Sequence, residues 1–395
     1  MQTVVARRDR GEQSFRIAGV GVAPSLGVRR GVIIDLVDAM SAIRHSVDEA
    51  RRASGVPIRS VWLAVGGTHI VMAASRGVVA VSRADQEISF EDVRRAITAA
   101  ETFIPRNPNR EVLHMIPREF RVDHEGGIRD PVGMHGVRLE ADALVIQCPT
   151  SFLKNALKCI EGVGLRVEDY VFSPLAAAEA VLTKHQKELG VMLLDIGGGT
   201  ASFIVFEEGM PMHAGVIPVG GHHITNDIAI GFKTHVDAAE KIKCAYGSCV
   251  PDEFPKRDQI KLAEFISDEA LVYSRRELAE IIKARFGDVF ELVQKELKRI
   301  GRNRLLPAGV VLVGGSSVVP GLVELAREEL GLPVERGVPR AFDAVDGKIE
   351  PSFAVALGTL QWAYGRMQEP RSPWQHHLGR MRQSRFVRWL KSLLP

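Results

Sequence analysis

The sequence predicts an α/β protein that repeats its own pattern in two halves, with a compact α+β subdomain inserted into the first half. Three observations carry that prediction. Buried strands run into glycine corners twice, in SVWLAVGGTHI at 60–70 and GVVLVGGSSVVPG at 309–321. Paired-strand segments also match in pattern, TVVARRDRGEQSFRIAGVG from Thr3 and TASFIVFEEGMPMHAGVIPVG from Thr200, which is the mark of an internal repeat. Between the first corner and a helix at Phe152–Gly162, residues 76–149 change character and carry strands and a helix of their own.

Composition sets the outer bounds. The 395 residues, 46% apolar and 25% charged, exceed what one hydrophobic core supports and describe an ordinary globular chain. A net charge of +3 does not argue for nucleic acid as a partner. Cys148, Cys159, Cys244 and Cys249 show neither metal-ligand spacing nor a disulfide framework. The start lacks an apolar signal core and no run of 18 apolar residues occurs, so the chain reads as cytoplasmic and without a membrane span.

Each element follows from local pattern. Thr3–Arg7 and Phe15–Val22 read as strands, Leu36–Ala53 as a helix, and Val61–Val65 as a short buried strand ending in Gly66-Gly67-Thr68. Within the insert, VVAVS, EVLHMIPREFRVD and ADALVIQCP read as strands and Phe90–Phe103 as a helix. Val191–Leu194 begins a hairpin, residues 220–300 are mostly helical with an interruption at Gly247–Gln259, and Val310–Val313 is the strand before the second corner. After Tyr364 the composition turns to Pro, Gln, His and Arg, which reads as a linker.

Four motifs carry the chemistry. In Asp195-Ile196-Gly197-Gly198-Gly199-Thr200, the glycines bring backbone N–H groups close to phosphate oxygens, and Thr200 adds a hydroxyl. Asp195 at the strand end suits a hydrated Mg²⁺, and the bend at Gly198 is expected to reject a bulky side chain. Gly220-Gly221 open a helix whose amides and dipole attract anions. The adjacent His222-His223 do not share a helix face and make a poor metal pair. Glu240 and Lys243 lie on one face, where they can grip a ribose and a base edge, although such a pair is ordinarily a solvated ion pair. At Gly314-Gly315-Ser316 a flat adenine can lie on bare backbone.

In this order and spacing the four motifs resemble the second half of the actin, Hsp70 and sugar-kinase nucleotide site. ITNDIAIGFKTHVDAAEKIKCAYG and SRRELAEIIKARFGDVFELVQKELKRIG, with the amphipathic end of the chain, further resemble the FtsA family of actin-like bacterial division proteins. The resemblance implies two RNase H-like domains around a cleft holding ATP and Mg²⁺. It implies subdomain 1A at 1–75 and 150–177 with a return at 351–365, an inserted SHS2-like subdomain 1C at 76–149, 2A at 178–235 and 305–350, and 2B at 236–304. It also implies membrane anchoring of FtsZ filaments at the division septum, self-association, and recruitment of later division proteins. Arg275, Arg276 and Lys298 are then candidates to meet the acidic FtsZ tail. A pilus-assembly adaptor of the same actin-like group, or a kinase of the superfamily, is the alternative.

Two features qualify the resemblance. Filament-forming relatives place a glutamate before a Pro-x-Ala-Ala-Ala run, where this chain has Ser173, so nucleotide binding is expected with weak or absent hydrolysis. Thr3 occupies the place of Thr200, so the strand and loop that would precede it are expected to be lost from the start of this sequence. At the other end, beyond a linker at 366–383, residues 384–395 place Phe386, Leu390, Leu393 and Leu394 on one helical face with Val387 beside them. Arg385, Arg388 and Lys391 flank that face and Trp389 suits a headgroup boundary, the composition of an interfacial anchor on an anionic, cytoplasmic membrane face.

Overall fold

The computed structural model describes residues 1–8, 12, 14–102, 109–255, 257–261, 272–343 and 349–368. The first body opens with β1 (Gln2–Arg7) and β2 (Phe15–Val22), an antiparallel pair. A small hairpin, β3 (Val28–Arg29) and β4 (Val32–Ile33), precedes α1 (Leu36–Ser54) and β5 (Ser60–Val65). Asp35 caps α1 by accepting from the amides of Val37 and Asp38, and Gly55 closes it in the left-handed conformation.

The insert comprises β6 (Val71–Ala80), α2 (Phe90–Thr102), β7 (Arg110–Val122), β8 (Glu125–Ile128) and β9 (Arg138–Pro149). Its antiparallel sheet runs β6-β9-β7-β8 and starts at Val71, ahead of residue 76. α2 covers one face through Val93, Ala96 and Ile97 against Leu139 and Ala141.

The chain returns through α3 (Thr150–Gly162), β10 (Arg166–Phe172), α4 (Ser173–Val181) and α5 (Lys184–Leu189). The second body contains β11 (Val191–Ile196), β12 (Ala201–Glu207), β13 (Met210–Ile217), α6 (Gly221–Gly231), α7 (Val236–Tyr246), β14 (Gln259–Lys261), β15 (Val272–Ser274), α8 (Arg275–Arg299), β16 (Val310–Val313), α9 (Leu322–Leu330) and β17 (Val334–Arg336). β18 (Phe342–Asp343) crosses back to pair with β2, and α10 (Ala354–Gln368) ends the described chain. The β14–β15 pair interrupts a region whose sequence reads as helical. Tyr273 is drawn there by stacking on Phe232, with ring centroids 4.2 Å apart.

β11 is the centre of the five-stranded sheet β13-β12-β11-β16-β17, antiparallel to β12 and parallel to β16. Its side chains alternate between two cores. Met192, Leu194 and Ile196 join α6, α8 and α9, while Val191 and Leu193 join α4 and α10. A strand covered on both faces is apolar along its length, which explains the unbroken run VMLL.

The first body repeats this plan with an interruption. β1 and β2 correspond to β12 and β13, and β5 and β10 to β16 and β17. Among the described residues no strand joins the two sets, so the sheet is split into β1-β2-β18 and β10-β5. Both half-sheets pack on one core, Val4 and Ala6 from one side and Leu63 and Val65 from the other, together with Leu357 of α10.

Candidate functional site

The site forms where β11 and β16, neighbours in register at Asp195 and Val313, end side by side. Beyond β11 the hairpin closes with the Gly197 amide donating to Thr200 O at 2.9 Å. α6 then docks its first turn onto this loop. The Gly221 amide donates to Gly197 O (2.9 Å), His222 to Gly198 O (2.7 Å), and His223 to Gly220 O (2.9 Å). These three amides are spent, so the α6 N-terminus is not the row of free donors that its glycine pair predicts. The free row lies one step earlier. Among the described residues no acceptor meets the amides of Gly198, Gly199 and Thr200, and consecutive open N–H groups make an anion-binding concavity.

The tight glycines are also not those that the motif suggests. None of Gly197, Gly198 and Gly199 has a left-handed φ, and the three atoms nearest a Cβ on Gly198 all belong to the exposed His222 ring, the first at 2.9 Å. Gly220 has extended dihedrals open to any residue, yet a Cβ there would lie 2.5 Å from Gly197 O and 2.8 Å from Gly198 O. Gly314 is doubly constrained, by a φ of 89° and by Asp195 Oδ1 at 2.3 Å from its would-be Cβ. If the loop holds a nucleotide as its motif suggests, Gly220→Ala is expected to abolish nucleotide-induced thermal stabilisation while Gly198→Ala retains most of it; equal losses in a thermal-shift titration would contradict this geometry.

Asp195 reaches solvent with part of the residue, but its carboxyl end is enclosed against Gly314. Desolvation pushes its pKa up to about 6. Among the described residues neither a cation nor a hydrogen-bond donor faces it, and no cluster of three or more His, Cys, Asp or Glu could cage a metal. This donor set fits Mg²⁺, which takes one or two carboxylates and keeps waters and phosphate oxygens as its other ligands.

Glu240 and Lys243 on α7 face the same floor. The Lys243 ammonium donates to Glu240 Oε2 (2.6 Å), Thr225 Oγ1 (2.8 Å) and Gly221 O (3.2 Å), tying α7 to α6. Burial opposes ionisation of Glu240, but hydrogen bonds from Lys243 and Thr225 outweigh it and hold the carboxyl below its usual range. The second corner arrives from the other side. Ser316 Oγ would lie 2.9 Å from a Cβ on Gly221, whereas one on Gly315 would meet nothing within 4 Å. Asp195, the glycine loop, Gly220-Gly221, Lys243, Glu240 and Gly314-Gly315-Ser316 thus line one cleft floor.

The three candidate partner residues do not come together. Arg275 and Arg276 begin α8 and Lys298 is in its last turn, roughly 35 Å away along the axis at 1.5 Å per residue. Arg275 lies over the Phe254 ring at 4.3 Å and near Asp258 at 3.5 Å, and Arg276 pairs with Asp252 at 2.8 Å. Both arginines are held by their own neighbourhood. Glu179, the carboxylate after Ser173, pairs with Lys187 of α5 at 2.8 Å. Phe386, Val387, Trp389 and the rest of the amphipathic segment lie outside the described residues.

Arg30 escapes a reading by periodicity. Its strands are two residues each, and the available signal was an Arg-Gly pair between Val28 and Val32-Ile33.

Comparison with known proteins agrees with this architecture. A family model described as cell division protein FtsA matches residues 192–358, and one described as the SHS2 domain inserted in FtsA matches 67–147. The cell division protein FtsA of Pseudomonas aeruginosa is 36% identical over 357 residues, 90% of this chain and 85% of that protein. Those of Bacillus subtilis (36%, 89% and 79%) and Escherichia coli K12 (34%, 88% and 84%) are similar. Among solved structures, a chain of a PilM-PilN type IV pilus biogenesis complex superposes with a TM-score of 0.65 at 19% identity, covering 91% of this chain and 94% of that one. The fold is actin-like with an inserted SHS2 domain, and the chain belongs to the FtsA family of cell division proteins.

Proposed function

We propose that the cleft binds ATP with Mg²⁺ and that the protein, in that state, ties FtsZ filaments to the cytoplasmic membrane during division. The observation that carries the nucleotide reading is the convergence on one floor of open amides, a desolvated carboxylate and an unobstructed backbone face. The amides of Gly198, Gly199 and Thr200 take the outer phosphates, and Asp195 holds the hydrated cation. Glu240 and Lys243 exchange part of their mutual bond for the ribose; Glu240 is 44% exposed and available for this. Gly315 offers its open face to adenine. With Ser173 at the head of α4 and Glu179 bonded to Lys187, the protein holds ATP rather than turning it over quickly.

No helix among the described residues is long and apolar enough to cross a bilayer. We place the lipid contact on residues 384–395, with Leu390, Leu393 and Leu394 among the buried face and Arg385, Arg388 and Lys391 at the headgroups. We assign the FtsZ tail, an acidic peptide, to the end of α8 that bears Arg275 and Arg276, where its carboxylates would have to replace Asp258 and Asp252 as their partners. Lys298 is too distant to share it. The insert is assigned to self-association and to later division proteins.

Co-sedimentation with phosphatidylglycerol-containing vesicles tests the anchor. The full chain is expected in the pellet, and the chain without residues 380–395, or with Trp389→Glu, in the supernatant. Vesicle binding unaffected by both changes would refute it.

A further inference from the structure

Arg30 lies opposite the glycine loop. It and Gly31 form the β3–β4 turn with φ of 51° and 78°, the two-residue geometry that matches strand twist. The turn presses on the second body, and a Cβ on Gly199 would lie 3.3 Å from Arg30 N. From there the Arg30 guanidinium reaches α6, with Nη2 3.1 Å from His223 Nε2. At the other side of the same ring the Gly220 amide donates to Nδ1 at 3.1 Å.

This arrangement is short of one acceptor. A neutral imidazole has a single lone-pair nitrogen, while guanidinium and backbone amide only donate. Two donors face one acceptor, so one N–H must point at another N–H in either tautomer. With Nδ1 accepting from Gly220, Nε2 carries the proton and meets Arg30 donor to donor. Protonating the ring worsens the conflict, because neither nitrogen then accepts. An anionic oxygen placed between Arg30 and Nε2–H resolves it, and Gly199, whose amide is open, packs along the Arg30 side chain, a Cβ there lying 3.8 Å from Arg30 Cγ.

We infer that Arg30 and His223 form a clamp for the outermost phosphate of the bound nucleotide, one oxygen receiving an N–H from each body. The clamp rests on the nucleotide reading above. It makes the cleft sensitive to phosphate number, since a triphosphate reaches it and a diphosphate ends over the glycine loop. Arg30 is thereby the residue through which the first body senses the nucleotide.

The test uses the full chain, calorimetric titration with Mg²⁺-ATP and Mg²⁺-ADP, and the variants Arg30→Asn and Arg30→Lys. Asn-Gly is a favoured pair for this turn, so Arg30→Asn removes the guanidinium while keeping the hairpin, and an unchanged melting temperature confirms that. Losing a charge-assisted bond to phosphate is expected to weaken ATP binding by about tenfold or more, with ADP binding within about twofold and Arg30→Lys intermediate. Arg30→Asn binding ATP as wild type, or losing both nucleotides equally, overturns the clamp alone. A wild-type chain that binds neither nucleotide removes the nucleotide reading and the clamp together.

Discussion

Asp195→Asn is expected to make the nucleotide-free protein more stable at neutral pH and, with the cleft holding Mg²⁺-ATP as proposed, to remove the Mg²⁺-dependent response to ATP. The carboxyl titrates near 6 in the folded protein and near 4 in an unfolded chain. The folded state therefore binds this proton more tightly, and ionisation works against folding. The native advantage is whole below about pH 4, falls as pH rises from about 4 to about 6, and stays lost above that. At pH 7 the cost is at most about 3 kcal/mol, and under the function proposed above Mg²⁺ bound with nucleotide would offset it by supplying the missing countercharge. The melting-temperature gap between variant and wild type should widen between pH 4 and 6 and then level off. A gap that ignores pH, or a variant that keeps a full Mg²⁺-ATP shift, would refute this role.

Gly358→Ala is expected to be among the most destabilising single-methyl additions in the molecule. α10 crosses α4 at this residue, and a Cβ would lie 1.8 Å from Ala176 O and 2.4 Å from Ala176 C. The obstacle is helix backbone rather than a side-chain tip, so relief requires the two helices to separate. Alanine gains about 1 kcal/mol of helix propensity over glycine, while overpacking of this kind costs about 3 kcal/mol. The net is a loss of about 2 kcal/mol, read as a lowered urea midpoint at constant slope. A raised midpoint would mean that the crossing has slack the structure does not show.

The second body was largely legible in the sequence because its elements are long and locally consistent. The β11–β12 hairpin and the corner after β16 each announce themselves as an apolar run broken by glycine. The element containing Ser173–Val181 was harder, since it is buried on nearly every side and has no polar face to set a period. β3 and β4 are too short for any periodicity, so the turn carrying Arg30 stayed hidden. Spacing along α8 also could not say that Arg275 and Arg276 point into their own acidic and aromatic neighbours. At the cleft, the amides of the glycine loop stay open as its motif suggests, whereas those at the start of α6 are spent. Hydrogen bonding between α6 and Gly197–Gly198 is tertiary, and it alone decides which amides remain open.

The continuous sheet of the second body has a mechanical consequence. A tug on β13 passes strand to strand through β12, β11 and β16 to β17 along an unbroken backbone ladder. Ladders resist shear far better than greasy contacts do. This flank of the molecule therefore behaves as an anvil, and the loops hung from the ends of β11 and β16 are mounted on its stiffest part.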